Sequence, residues 1–212
     1  MRSSTSTLKG FLAGILGLSS LLTVSTVTAA DPSREADESA KLLAEQVCAS
    51  CHGQSGLSTF QEIPSLAAQT QVYVAAKLWQ FRSQALRRPE QHSDLLGVAL
   101  MDDATVEALA RYFASQPRPP PVTRDAAAVD SGSKIFSEGI ADKGVAACAV
   151  CHGAGAQGFW ITPRLAGQNA RYVERQLKEI QLQLRHTRVM HGAVRDLSLE
   201  EIKDVAAFVQ SR

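Results

Sequence analysis

Four cysteines and two histidines recur in a short pattern that occurs twice in the chain. The first copy is CASCH at residues 48–52, and the second is CAVCH at residues 148–152, 100 residues later. Two thiols at this spacing can form thioether bonds to the vinyl groups of one haem, and the adjacent histidine can bind its iron. The candidate residues are Cys48, Cys51, Cys148 and Cys151 for attachment, with His52 and His152 as proximal iron ligands. The pattern therefore predicts two covalently bound haem c groups.

Other uses of paired cysteines fit this spacing less well. A structural zinc site has its two cysteine pairs about 12–20 residues apart, whereas 96 residues separate the pairs here. A thioredoxin-type pair belongs to a βαβ unit, and the sequence has no convincing run of strand alternation. Disulfides would suit an exported protein, but they do not explain why a histidine follows both second cysteines. Haem attachment is the interpretation that accounts for the whole pattern.

The duplication extends beyond the cysteines. PSLAAQ at residues 64–69 returns as PRLAGQ at residues 163–168. Between the copies, QPRPPP at residues 116–121 cannot continue a helix and favours an extended spacer. The predicted organisation is a first domain at residues 35–116, a Pro-rich linker at residues 117–127 and a second domain at residues 128–212.

Both copies have helical periodicity, so the expected fold class is all-α. Apolar residues at helical spacing are Val74, Leu78 and Phe81 in the first copy, and Val173, Leu177 and Ile180 in the second. The predicted helices include residues 39–46, 104–115, 131–138 and 199–210. Asp102 or Asp103 can cap the second of these helices and Ser198 the last, because short polar side chains accept from free backbone N–H groups.

A proline follows each histidine at a similar distance. Pro64 is 12 residues after His52, and Pro163 is 11 residues after His152. An iron-bound histidine usually has its other ring nitrogen held by an acceptor, which orients the ring and raises its basicity. The two proline carbonyls are candidates for that acceptor, and a simple turn is the alternative.

The chain resembles the dihaem cytochrome c4 family in four features: CxxCH-Gly, Pro-x-Leu-Ala-(Ala/Gly)-Gln, a Tyr-led helix and an apolar final helix in each copy. The resemblance covers nearly all of the chain after residue 30. It implies two tandem class I cytochrome c domains, each a small helical bundle around one covalently attached haem. It also implies haems that lie near each other. In such domains the first and last helices cross, which would bring Leu43 near Tyr112, and Phe136 near Phe208.

Methionine opposite histidine is the usual ligand pair of electron-transfer haems. After residue 30 the chain has two methionines, Met101 and Met190. Met190 stands seven residues before Leu197, which matches the family's ligand position, so it is the expected distal ligand of the second haem. His191 is the runner-up, and His186 is expected to be a solvated loop residue.

The first copy departs from the family pattern. The position that corresponds to Met190 is Asp94, so the distal ligand of the first haem stays unresolved between two candidates. Met101 would need a rearranged loop, because its register places it beneath the last helix. His92 aligns with His191 and lies in the loop at residues 87–95. An open coordination position is the third alternative.

Residues 1–30 have the order of a secretory signal peptide. Arg2 and Lys9 precede an apolar stretch at residues 11–27, and small residues lead to Ala30. We predict cleavage after Ala30 and a periplasmic protein, with a retained membrane anchor as the alternative. Cleavage would leave 20 basic and 21 acidic residues, without the basic excess typical of nucleic-acid binding. No nucleic-acid partner is therefore expected.

These observations predict an electron carrier without substrate turnover of its own. The expected partners are redox proteins: a terminal oxidase, which the resemblance implies, a cytochrome bc1-type complex or a dehydrogenase. Peripheral association with the membrane stays open. Two alternatives remain, a dihaem oxidoreductase with catalysis at the first haem, and a cytochrome subunit of a larger dehydrogenase. An open position on the first haem would favour catalysis, because a substrate needs a vacant coordination site.

Overall fold

The structure is a computed structural model that describes residues 31–88, 96–185 and 187–212. Within these ranges the regular structure is helical, and extended segments pair only at two isolated bridges, Ile140 with Val145 and Phe159 with Thr162. The predicted all-α fold class is confirmed. In the same ranges, no helix has both the length and the apolar character needed to cross a bilayer.

Ten α-helices run along the described chain. They are α1 (Pro32–Leu43), α2 (Ala49–His52), α3 (Gln71–Arg87), α4 (Leu96–Ala99), α5 (Asp103–Ser115), α6 (Ala126–Glu138), α7 (Ala149–His152), α8 (Ala170–Gln181), α9 (Arg188–Val194) and α10 (Leu199–Gln210). A π-helical turn covers Ala44–Cys48, and 3₁₀ turns cover Gln54–Gly56 and Ala141–Lys143.

The last helix of each copy begins at the predicted cap. The Asp102 side chain accepts from the Thr105 N–H at 2.7 Å, and α5 begins one residue earlier than predicted. Ser198 and Glu201 form a reciprocal capping box at the start of α10, which satisfies two backbone N–H groups. Helices α1 and α6 begin well before the predicted bounds, because Asp31 and Asp125 cap them.

Two hydrophobic clusters form the core of the described residues. The first contains Val74, Val106, Leu109 and Phe113 together with small alanines from α1, α3 and α5. The second is larger and includes Phe136, Val173, Ile202 and Val209. One cluster lies within each predicted domain. The domain boundaries themselves stay a prediction.

The first and last helices of each copy pack against each other around these clusters. The Phe136 and Phe208 rings lie 5.0 Å apart between centroids, as the resemblance implied. Leu43 and Tyr112 both pack against the first cluster. On α8 the predicted face is buried, whereas Phe81 on α3 is 37% exposed and lies at the margin of its face.

The proline-rich segment between the copies packs on the second of them. No helix forms between α5 and α6. The Val122 N–H donates to the Gln210 carbonyl at 2.9 Å, and Pro119 is buried beside Gly167. This segment is not helical, and it contacts the end of α10.

Candidate haem sites

The first CxxCH pattern lies on a continuous helical path. The π-helical turn ends at Cys48, and α2 carries Cys51 and His52 on the next turn. At Gly53 the backbone has φ 76°, and a Cβ there would overlap the Leu57 carbonyl. Because an L side chain is strained at such a φ, glycine allows the chain to leave the helix directly after the histidine.

The second pattern repeats this arrangement. Cys148 directly precedes α7, and Cys151 and His152 lie on that helix. In both patterns the first cysteine is half-buried and the second is exposed, and all four thiols of this described region are free. Burial raises the pKa of the Cys48 and Cys148 thiols. The thiols are therefore available for attachment rather than used in disulfides.

Both histidines are oriented by the prolines. His52 Nδ1 lies 2.9 Å from the Pro64 carbonyl oxygen, and His152 Nδ1 lies 3.0 Å from the Pro163 carbonyl oxygen. A carbonyl can only accept, so each Nδ1 carries the proton and donates it. This leaves Nε2 as the nitrogen that is free to bind a metal. Burial lowers the pKa of both rings, partly offset by these hydrogen bonds.

In the second copy, Met190 lies on α9 and packs against the second cluster. Both ring nitrogens of its neighbour His191 lie within hydrogen-bonding distance of other groups of the protein. Its Nδ1 lies 3.0 Å from the Ile180 carbonyl oxygen, and its Nε2 lies 3.3 Å from the Gln183 side-chain nitrogen. The Gln181 amide holds the end of this segment by donating to the carbonyl of Val194, the last residue of α9, and to that of Leu197.

In the first copy the structure describes one of the two candidate distal ligands. Met101 packs against the first cluster, in agreement with its register beneath α5. Its carbonyl accepts from Arg82 at 3.0 Å, and Arg82 also pairs with Asp103 at 2.6 Å. His92 and His186 lie outside the described residues.

Comparisons with known proteins agree with this geometry. The cytochrome c family matches residues 129–212. Cytochrome c4 from Thiocapsa roseopersicina is 33% identical over 173 residues, which are 79% of this chain and 88% of that protein. The chain belongs to the cytochrome c4 family.

Two further comparisons extend this result. The structure of cytochrome c4 from Acidithiobacillus ferrooxidans superposes with a TM-score of 0.70 at 31% identity, covering 78% of this chain and 98% of that one. A protein named thiosulfate dehydrogenase electron acceptor, from Thiomonas intermedia strain K12, is 34% identical over 62% of this chain and 61% of its own. As a cytochrome c4-type protein, this chain is a dihaem electron-transfer cytochrome with two covalently bound haem c groups.

The residues present fit such a cofactor. In the described part of the chain, no three His, Cys, Asp or Glu side chains come together as a metal cage. Arg164 Nε is buried and has no hydrogen-bond partner among the described residues. Burial and the nearby Arg118 lower the pKa of Arg164. A haem propionate would provide the missing anion and acceptor, and the porphyrin would provide ligands to the iron.

The contacts between the two copies were missed by sequence reasoning. Tyr73 of the first copy accepts from Arg185 of the second at 3.0 Å, and the Asn169 amide donates to the carbonyls of Phe60 and Ile63. The glutamine that closes each PxLAxQ motif also bonds across to the other copy. Its recurrence was visible in the sequence, but nothing in the spacing indicated its partner.

Proposed function

We propose that this cytochrome is a periplasmic electron carrier in which His52 and His152 bind the two haem irons. Cys48, Cys51, Cys148 and Cys151 would hold the haems by thioether bonds. The observation that carries the proposal is the pair of CxxCH turns in which a proline carbonyl fixes each histidine by its Nδ1. The bound haem supplies one-electron redox chemistry. The chain's own residues attach it, orient the histidines and bury their surroundings.

Met190 is the proposed distal ligand of the second haem. The competing side chain, His191, already uses both ring nitrogens in contacts with α8 and the segment after it. Binding iron would cost His191 one of those contacts. Met190→Ala should convert the second haem to the high-spin state, and His191→Ala should leave it low-spin. The reverse result would transfer the assignment to His191.

For the first haem we propose Met101 or His92, and the two make different spectral predictions. Methionine ligation gives a methionine-to-iron charge-transfer band in the ferric state, and bis-histidine ligation does not. Substituting Met101 and His92 separately by Ala should give a high-spin first haem for the true ligand alone. Arg82 and the apolar neighbours of Met101 hold it in the core, so Met101→Ala needs a folding control by circular dichroism.

The enzyme alternative depends on an open position at the first haem. Reduced protein that binds carbon monoxide at one haem before any substitution would favour catalysis there. Two six-coordinate haems that do not bind carbon monoxide would support the plain carrier. This measurement is the main test of the proposed function, because it separates transfer of electrons from turnover of a substrate.

The physiological partners are proposed from chemistry and from relatives. A terminal oxidase and a cytochrome bc1-type complex are the respiratory partners that we propose first. Similarity to the thiosulfate dehydrogenase electron acceptor favours one second candidate, in which a dehydrogenase is the electron donor. Mixing the oxidised protein with thiosulfate and a thiosulfate dehydrogenase should reduce both haems in that case. Reduction by a bc1-type complex alone would support the respiratory assignment.

Export is proposed from residues 1–30. The charged start, apolar stretch and small residues before Asp31 are typical of a cleaved leader. Mass spectrometry of protein purified from the periplasm should find Asp31 at the N-terminus. A full-length chain in the membrane fraction would support the retained anchor instead.

A further inference from the structure

Two buried glutamines make matching hydrogen bonds across the two copies. Gln168 Oε1 accepts the Ser65 N–H at 2.9 Å, and Gln168 Nε2 donates to the Ser65 carbonyl at 2.9 Å. Gln69 Oε1 accepts the Arg164 N–H at 2.7 Å, and Gln69 Nε2 donates to the Arg164 carbonyl at 2.9 Å. The glutamines are 7% and 8% exposed. Each one thus satisfies both backbone groups of a single residue in the opposite copy.

The orientation of both amides follows from their neighbours. Gln168 Oε1 also accepts the Asn169 N–H at 3.0 Å, and Gln69 Oε1 also accepts the Thr70 N–H at 2.9 Å. An atom that two backbone N–H groups approach must be the oxygen. The hydrogen-bonding directions are therefore defined, and they are the same in both copies.

The backbone N–H that donates to each glutamine belongs to the same peptide group as the proline carbonyl that accepts from a histidine. The Pro64 carbonyl accepts from His52, and the N–H of that same peptide group belongs to Ser65 and donates to Gln168. In the second copy the Pro163 carbonyl accepts from His152, and the Arg164 N–H donates to Gln69. A peptide group bonded at both ends is polarised, so a good acceptor on its N–H makes its carbonyl a stronger acceptor.

We propose that Gln168 and Gln69 are positioning residues that act on the opposite domain. Each glutamine strengthens the hydrogen bond on Nδ1 of the opposite domain's axial histidine through one shared peptide group. The inference rests on the proposed role of His52 and His152 as iron ligands. A stronger acceptor on Nδ1–H makes the imidazole a better electron donor, which favours ferric iron. Loss of Gln168 should therefore raise the reduction potential of the first haem, and loss of Gln69 that of the second.

A purely structural role makes a different prediction. Other contacts also join the copies, including Thr70 Oγ1 to the Trp160 carbonyl at 2.7 Å and the Arg171–Glu62 ion pair at 3.3 Å. If the glutamines only held the domains together, removing any of these contacts would disturb both haems in a similar way. Only a link through the histidine peptide predicts an effect on the haem of the opposite domain.

The test uses the dihaem protein with Gln168→Met and Gln69→Met, which keep side-chain length and remove the hydrogen bonds. Thr70→Val and Arg171→Gln are the matched controls, because they remove contacts between the copies that do not involve a histidine peptide. Haem methyl resonances, assigned to each domain by contacts with its own residues, report the two potentials separately during a redox titration. The Nδ1–H resonance of each histidine in the reduced protein reports its hydrogen bond.

We expect Gln168→Met to shift the equilibrium of the first haem roughly three- to tenfold towards the reduced form, at most about 59 mV for one electron. The second haem should change little, and Gln69→Met should give the mirror result. Unchanged potentials, or equal shifts of both haems, would overturn the proposal. If a Met variant does not accumulate, Gln168→Asn and Gln69→Asn replace it, with the same crossed pattern expected. Failure of the proposed function is distinguishable, because the wild-type spectra would then lack histidine ligation at both haems.

Discussion

The crossing of α6 and α10 in the second domain depends on Gly132. A Cβ at this position would overlap the Asp204 carbonyl group and lie 2.9 Å from the Val205 nitrogen. All of these neighbours are backbone atoms, so no side-chain rotation can relieve the overlap. Gly132→Ala must therefore push the two helices apart by a large fraction of an ångström.

The loss of folding free energy caused by this displacement depends on the side chains that are buried where the two helices cross. Phe136 is 1% exposed, and Ile202 and Val209 are fully buried. Overpacking of such a core costs about 1–3 kcal/mol of unfolding free energy. Because the added Cβ would meet backbone atoms, we expect a cost at the upper end of this range. The better helix propensity of alanine returns up to about 1 kcal/mol. A net loss of about 2 kcal/mol lowers the Tm of a domain of this size by roughly 8–16 °C.

The assay is thermal unfolding of the oxidised dihaem protein, followed through the absorption of the second haem. Ser131→Ala is the matched control, because Ser131 lies beside Gly132 on α6 with an exposed side chain. It should change the Tm by no more than about 4 °C, because surface substitutions usually stay within ±0.5 kcal/mol. If Gly132→Ala has the same Tm as Ser131→Ala, the two helices do not approach as closely as described. The reasoning from backbone overlap is then refuted.

Acidification should remove a stabilising contribution from the second domain. The Lys143 amine, 2.7 Å away, and the Ser198 N–H hold the pKa of Glu201 below its ordinary value, so this contribution is full above pH 4.5 and is lost as the pH falls through the lower folded pKa. The Tm difference between wild type and Glu201→Gln, which keeps a capping oxygen, should shrink below pH 4.5. Arg82→Met should lower the stability of the first domain by about 1–3 kcal/mol, because it leaves the Met101 carbonyl without its donor, as thermal unfolding would measure. Protein made without haem attachment should have four titratable thiols and a lower Tm than the dihaem form, because a group held only by the folded state stabilises it.

Each of these expectations has a contradicting outcome. A Glu201→Gln difference that is constant from pH 3 to pH 7 would mean that the carboxylate makes no net contribution, since a depressed pKa requires pH dependence. An Arg82→Met protein with wild-type stability would show that water replaces the lost donor. An apo chain as stable as the dihaem protein would show that the two described clusters are sufficient for folding.

Short-range features of this protein were predictable because they depend on neighbours in sequence. The bounds of α10 follow from Ser198 and from the apolar period behind it. The bonds from the histidines to Pro64 and Pro163 were candidates because a ligand histidine needs an acceptor and a proline carbonyl lay at a repeated distance. The contact between Phe136 and Phe208 came from the family resemblance rather than from the pattern alone.

Features that depend on the placement of whole elements were not predictable in this way. The early start of α1 was missed because its segment has few apolar residues, and it is the cap at Asp31 that marks its beginning. The π-helical turn before Cys48 leaves no signature in residue type. Hydrophobic periodicity identifies the buried face of a helix, but it does not say which polar side chain reaches a second domain. For that reason the partners of Gln69 and Gln168 emerged only from the structure.

The duplicated PxLAxQ motif has two roles that a single domain would not need together. Its proline meets the histidine of its own copy, and its glutamine meets the opposite copy one residue after that copy's proline. A change in either motif therefore removes contacts in both copies. Outside the motif the copies differ, for example at Asp94, which corresponds in sequence to Met190 of the second copy. The pair of copies, rather than the single copy, is accordingly the unit in which His52 and His152 acquire their hydrogen-bonded surroundings.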